Sequence, residues 1–144
     1  MSQNEQLNEQ EILDSLFETA KNLPEETVRI NRLDLRITLR GLTSSKVDTI
    51  RERCTIRKSV KGQMTEKLDS ELFNAALIKE ATVALEVKGL KLSGWGDDRL
   101  TSRLKLSGGE EVIRRILLAG ELDAVGDKVL EISGFGVNIE DVKN

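Results

Sequence analysis

The sequence contains no histidine and no tyrosine, a single cysteine, a single proline and a single tryptophan, and aromatic residues make up only 3% of it. Each shortage excludes something. Without histidine and with only Cys54, zinc and iron sites have no plausible ligand set, and no imidazole is present to activate a thiolate or hydroxyl nucleophile. One cysteine also forbids an intramolecular disulfide, as expected of a chain made in a reducing compartment; Cys54 reads as a small buried residue at a helix end. No apolar run approaches the roughly 20 residues that span a bilayer. The start, Met1-Ser2-Gln3-Asn4-Glu5, lacks the basic and apolar regions of a signal peptide, so the expectation is a soluble protein that stays where it is made.

A strong charge of one sign is missing as well. Lys and Arg number 22 against 25 Asp and Glu, a formal charge of −3, where a dedicated nucleic-acid binder needs a basic face. Phosphate-binding loops are absent: Gly94-Trp95-Gly96 belongs to no GxGxxG or GxxxxGK[ST] run and reads as a turn. Asp97-Asp98 lacks the alternating ligands of a calcium loop and reads as a helix cap. The expectation is a binding protein without catalytic, cofactor or metal residues.

With 144 residues, 38% of them hydrophobic, the chain suits one domain whose core is Leu, Ile, Val and Ala. Residues 1–26 carry seven acids against Lys21 alone, and Ile12, Leu13, Leu16, Phe17 and Ala20 recur at helical spacing. This predicts an acidic amphipathic N-terminal helix from about Glu9 to Asn22, ended by Pro24, ahead of a single globular domain over 27–144. So short a helix is marginal alone in water and must dock on the core, a twin or a partner.

Strict alternation at Leu33, Leu35, Ile37 and Leu39 predicts one half-buried strand, broken by Gly41. Thr43, Ser44 and Ser45 are competent caps for a short helix through Val47, Ile50 and Cys54. Residues 55–67 read as a loop or loose hairpin turning near Lys61-Gly62. Asp69 or Ser70 caps a core helix that buries Leu72, Phe73, Ala76, Leu77 and Ala81. The pattern over Val83–Leu92 leaves strand, loop and helix open.

Beyond Gly108-Gly109, one helix buries Val112, Ile113, Ile116 and Leu117, with Gly120 placed to close it in a left-handed turn. A second, from about Glu121 to Ile132, ends the same way at Gly134. The fold class that follows is mainly α (α+β): a compact helical domain with a short strand or hairpin and a C-terminal helical hairpin. As a DNA-reading helix-turn-helix that hairpin fails, because its second helix offers Glu121, Asp123, Asp127 and Glu131 against Lys128 alone. The basic stretch Arg51–Lys67 has no aromatic residue for base stacking, but it complements the acidic N-terminal segment, within one chain or between subunits.

The run Ile113-Arg114-Arg115-Ile116-Leu117-Leu118-Ala119-Gly120-Glu121, followed by Asp127 to Phe135 with its Ser133-Gly134-Phe135 ending, resembles the C-terminal region of XkdN-like phage tail assembly chaperones. Leu39–Thr43, Ile50–Thr55 and Asp69–Ala81 extend the resemblance over residues 35–136. A proline expected soon after the core helix is absent at Thr82-Val83-Ala84-Leu85. The resemblance implies a non-enzymatic helper in the bacterial host cytoplasm that binds the tape measure protein, assists tail tube assembly and is absent from the mature virion. Its partners would be the tape measure protein and the tail tube protein, with no nucleic acid and no membrane; a homo-oligomer is compatible with this.

Such work needs an apolar patch with charged rims. Candidate partner-binding residues are Leu13, Leu16 and Phe17 of the N-terminal stripe, with Trp95, Leu118 and Phe135; for each, ordinary core packing is the competing reading. Two other classes are a structural tail or virion component and an unrelated cytosolic adaptor. The single clear strand weighs against a tail tube subunit.

Overall fold

The computed structural model describes residues 8–136. Its elements are α1 (Glu9–Lys21), β1 (Glu25–Ile30), a 3-10 turn (Asn31–Leu33), β2 (Leu35–Arg40), α2 (Ser44–Arg53), β3 (Thr55–Val60), β4 (Gln63–Leu68), α3 (Ser70–Ala81), β5 (Thr82–Val87), β6 (Leu90–Leu92), α4 (Asp98–Leu104), α5 (Gly109–Ile116) and α6 (Ala119–Ile132).

The main sheet is antiparallel, in the order β1-β2-β5-β6, and β3 and β4 form a separate two-stranded sheet. This corrects the expected helical domain with one short strand or hairpin: the described residues form an α+β fold in which a four-stranded sheet is one full layer. The strands that escape the alternation rule do so for physical reasons. β1 is an edge strand rich in charge, buried only at Ile30. β3 and β4 are exposed on both faces, so no burial disciplines their sequence. β5 carries an irregularity: Thr38 faces Ala84 but Leu39 faces Thr82, so Val83 is an extra residue, and it is exposed.

Inside the expected segments the local chemistry holds. Leu35, Ile37 and Leu39 of β2 point into the core, the last two with no exposed surface. Leu33 lies instead in the 3-10 turn before the strand. Thr43 caps α2 through the N–H of Lys46, and Asp69 caps α3 through the N–H of Leu72. Lys61-Gly62 and Lys88-Gly89 both take positive φ at two successive positions. That is the two-residue turn whose twist suits a hairpin, so of the loop or loose hairpin expected over 55–67 the fold has the hairpin, turning at Lys61-Gly62, and the open segment 83–92 is a second one.

The helical layer packs α3 against α5 and α6, with α2 on its flank, over the inner face of the main sheet. Leu77, Ile78, Val112, Ile113 and Val129 join Ile37, Leu39 and Cys54 in the core. Gly120 does not close a helix. Helix α5 stops at Ile116, Leu117 and Leu118 are extended, and Gly120 lies in the first turn of α6. Helix α6 ends as expected, with Ser133 at its C-terminus and Gly134 at φ 98°. Among the described residues, no helix is long and apolar enough to cross a membrane.

Candidate partner-binding surface

The C-terminal signature residues turn out to be fasteners. Glu121 accepts the Leu118 N–H at 2.9 Å, serving a donor at the N-terminus of α6, and also holds the Arg32 guanidinium at 2.7 and 2.9 Å. Arg32 donates in addition to the Ile116 carbonyl at 2.9 Å, so one side chain ties the 3-10 turn to the end of α5 and the start of α6. That arrangement holds the Glu121 carboxyl below its ordinary range, first through the Arg32 hydrogen bonds and then through the Leu118 amide.

At the other end of α6, the Ser133 hydroxyl accepts the Leu42 N–H at 2.8 Å and donates to the Val129 carbonyl at 2.6 Å. Gly41 lies so close that a Cβ there would sit 2.5 Å from the Ile132 carbonyl oxygen. Glu121 and Ser133 of the signature therefore pin the two ends of α6 to the segments that flank β2, the 3-10 turn before it and Leu42 after it. Between them, Gly126 gives α6 its close approach to Asn74 of α3.

The six candidate residues are not brought together. Trp95 is 3% exposed, and its Nε1–H donates to Thr82 Oγ1 at 2.9 Å. Its burial is the ordinary core packing that competed with the reading of Trp95 as a partner-binding residue. The Gly94-Trp95-Gly96 turn folds the indole inward against Gly109, where a Cβ would lie 3.1 Å from the Trp95 Cβ. Leu118 and Phe135 are exposed, but they flank opposite ends of α6, a helix of 14 residues and so about 20 Å long.

Leu13, Leu16 and Phe17 do share a surface. Helix α1 buries none of its residues; Ile12, Leu16 and Phe17 are more than half exposed and Leu13 is 39% exposed. The helix is well terminated even so. Asn8 accepts the Glu11 N–H at 2.8 Å, and Lys21 lies in the last turn. Of its four acids, Glu11, Asp14 and Glu18 fall on the face away from the apolar stripe, while Glu9 stands one turn before Ile12 and Leu13 at the stripe's N-terminal end. Among the described residues no ion pair joins α1 to the β3–β4 hairpin, whose Arg57 instead pairs with Glu52 and Glu66.

Two surface features escape a linear reading. One is a groove of about 640 Å³ between the C-terminal half of β1 and α6, with Val28, Ile30, Ala124 and Val125 as apolar lining and Arg29, Arg32, Asp127 and Lys128 among its rim. It joins residues some 90 positions apart, and the only local hint is the Val28, Ile30 alternation. The other is the hairpin face carrying Ile56, Lys58, Val60 and Lys67, which share one side by register.

Burial holds the Cys54 thiol above its ordinary range, consistent with an inert core residue. Asp97, 6% exposed, caps α4 and accepts from Arg99 and from the Ser93 N–H, which keeps its carboxyl far below the ordinary value.

No curated protein and no solved structure matches the chain. A family model, phage XkdN-like tail assembly chaperone protein, matches residues 10–144 and so takes in α1 as well as the body, further toward the N-terminus than the residues that carry the sequence resemblance. Since that match covers nearly the whole chain, the chain belongs to the phage XkdN-like tail assembly chaperone family.

Proposed function

We propose that this chaperone acts in the host cytoplasm by holding amphipathic helices of the tape measure protein against the apolar stripe of α1. It keeps them soluble until tail tube subunits assemble around them, performs no catalysis, and is left out of the finished particle. The observation that carries this reading is the stripe itself. Ile12, Leu13, Leu16 and Phe17 stand exposed on a capped helix that buries nothing against its own domain. A helix of 13 residues is marginal alone in water, and an apolar face of this kind is a helix-pairing surface in want of a partner. Acids on its far face keep it soluble without obstructing the seam.

A tail tube subunit is disfavoured by the family and no longer by a scarcity of strands, since the described residues hold six. The test is co-expression with the tape measure protein of the same phage. The wild-type chain should co-purify with it, and a Leu16→Asp, Phe17→Asp variant should lose it while keeping the circular dichroism spectrum and melting temperature of the wild type. Failure of the wild type to co-purify, retention of binding by the variant, or this chain in purified mature particles would each overturn the proposal.

A further inference from the structure

Among the described residues, strand β1 ends the main sheet with a free edge. Which of its backbone groups are free follows from the ladder. β1 pairs with β2 in a register running from Glu25 opposite Arg40 to Ile30 opposite Leu35, and the Gly41 N–H donates to the Pro24 carbonyl at 2.8 Å. Pro24 and Gly41 therefore form a hydrogen-bonded pair. Because such pairs alternate along an antiparallel ladder, Glu26, Val28 and Ile30 turn their amides and carbonyls toward β2. Glu25, Thr27 and Arg29 turn theirs outward, and among the described residues no backbone group of another segment pairs with them.

We infer that this edge is the interface between two copies of the chain, joined β1 to β1, antiparallel, about a two-fold axis at Thr27. Three independent features select this register. Thr27 then opposes Thr27 of the second copy, and Glu25 opposes its Arg29. These are hydrogen-bonding positions on both strands, so the N–H and C=O of Glu25, Thr27 and Arg29 are all satisfied at once. A shift of the axis to Val28 strands Glu25 opposite Asn31, beyond the strand.

The same register places Glu25 against Arg29 twice, on the solvent face. Charges on an edge strand ordinarily repel a twin, whereas here they attract it. They extend existing pairs, Arg40 with Glu25 at 2.8 Å and Arg29 with Asp34 at 2.9 Å. Finally, the Thr27 and Thr38 hydroxyls already share a hydrogen bond at 2.9 Å, so the two-fold axis continues a threonine row across four strands.

The strand has no internal proline and no bulge to discourage pairing. The groove lined by Val28, Ile30, Ala124 and Val125 runs beside this edge and faces its own counterpart across the axis. Six strand residues with a groove rim form a small interface, so the dimer is a weak one.

The test is sedimentation velocity of the full chain over a concentration series reaching the millimolar range. Wild type should pass from monomer to dimer. Thr27→Pro should remain monomeric with an unchanged fold, because the N–H it removes points away from β2 and proline is tolerated at such edge positions. Thr27→Cys should form an intermolecular disulfide under mild oxidation, since hydrogen-bonded antiparallel partners lie about 5.5 Å apart at Cα. Cys54, at 1% exposure, does not compete. A wild type that stays monomeric throughout, a dimer that survives Thr27→Pro, or a dimer lost only on deletion of residues 8–21 would overturn the inference.

Discussion

Arg32 and Glu121, 89 residues apart in the chain, meet through two hydrogen bonds, Nε to Oε2 at 2.9 Å and Nη2 to Oε1 at 2.7 Å. The pair is partly exposed, so its Coulomb attraction alone is worth little. Its importance is geometric, because the same carboxylate serves the first turn of α6. Glu121→Ala should therefore lower the melting temperature more than Arg32→Ala, and Glu121→Gln, which keeps an acceptor for the Leu118 N–H, should fall between wild type and Glu121→Ala. A thermal melt of the three variants checks that order.

Acid should destabilise the fold through a small set of carboxylates. Asp97 is held below its ordinary 3.8 by Arg99 and the Ser93 amide, Glu121 below 4.5 by Arg32 and the Leu118 amide, and Glu111 below 4.5 by the Ser107 hydroxyl and amide. A carboxyl with a depressed folded-state value contributes stability above its unfolded value and loses it as pH falls toward the folded one. Urea midpoints should be flat at neutral pH and decline below about pH 4.5. Asp97→Asn should flatten that decline while lowering the plateau.

Gly41→Ala should be costly. The added Cβ would meet the Ile132 carbonyl oxygen at 2.5 Å, a backbone atom at the end of a packed helix that cannot swing aside. Overpacking of this kind costs about 1–3 kcal/mol. Gly126→Ala collides with the Asn74 side chain instead, and should cost less where Asn74 can give up its hydrogen bond to Asp123. Denaturant midpoints at unchanged m-value would measure both.

Trp95 should behave as a reporter of the core. Its intrinsic fluorescence should be blue-shifted in the folded protein and indifferent to partners docking on α1, and it should shift to the red on unfolding. Trp95→Phe removes the hydrogen bond to Thr82 and part of the indole volume, and should destabilise by about 1–3 kcal/mol. A red-shifted emission in the native state would show that the indole is exposed after all.

Much of the local structure was legible before any tertiary information. Alternation at Leu35, Ile37 and Leu39, the caps at Thr43, Asp69 and Asp97, and the glycine after α6 each depend on neighbours within a few residues, and there short-range physics decides. The sheet was mostly illegible for the opposite reason. β1 and the β3–β4 hairpin bury too little to impose a pattern, and β5 breaks its own period at Val83.

The surfaces divide in the same way. The stripe Leu13, Leu16 and Phe17 could be read off because a helix places those positions on one face by its period alone, whatever surrounds it. Whether that face is covered is a tertiary matter, and among the described residues it is bare. Trp95 shows the converse: a tryptophan between two glycines looks like a surface turn, and only the packing of the turn against Gly109 and Thr82 sends the ring inward. Sequence by itself determined which residue types are missing and where the amphipathic helices lie, since these rest on composition and short periods. Tertiary structure alone decided which strand became an edge, which groove formed between β1 and α6, and that Glu121 and Ser133 hold α6 in place, since each of these joins residues that the chain keeps far apart.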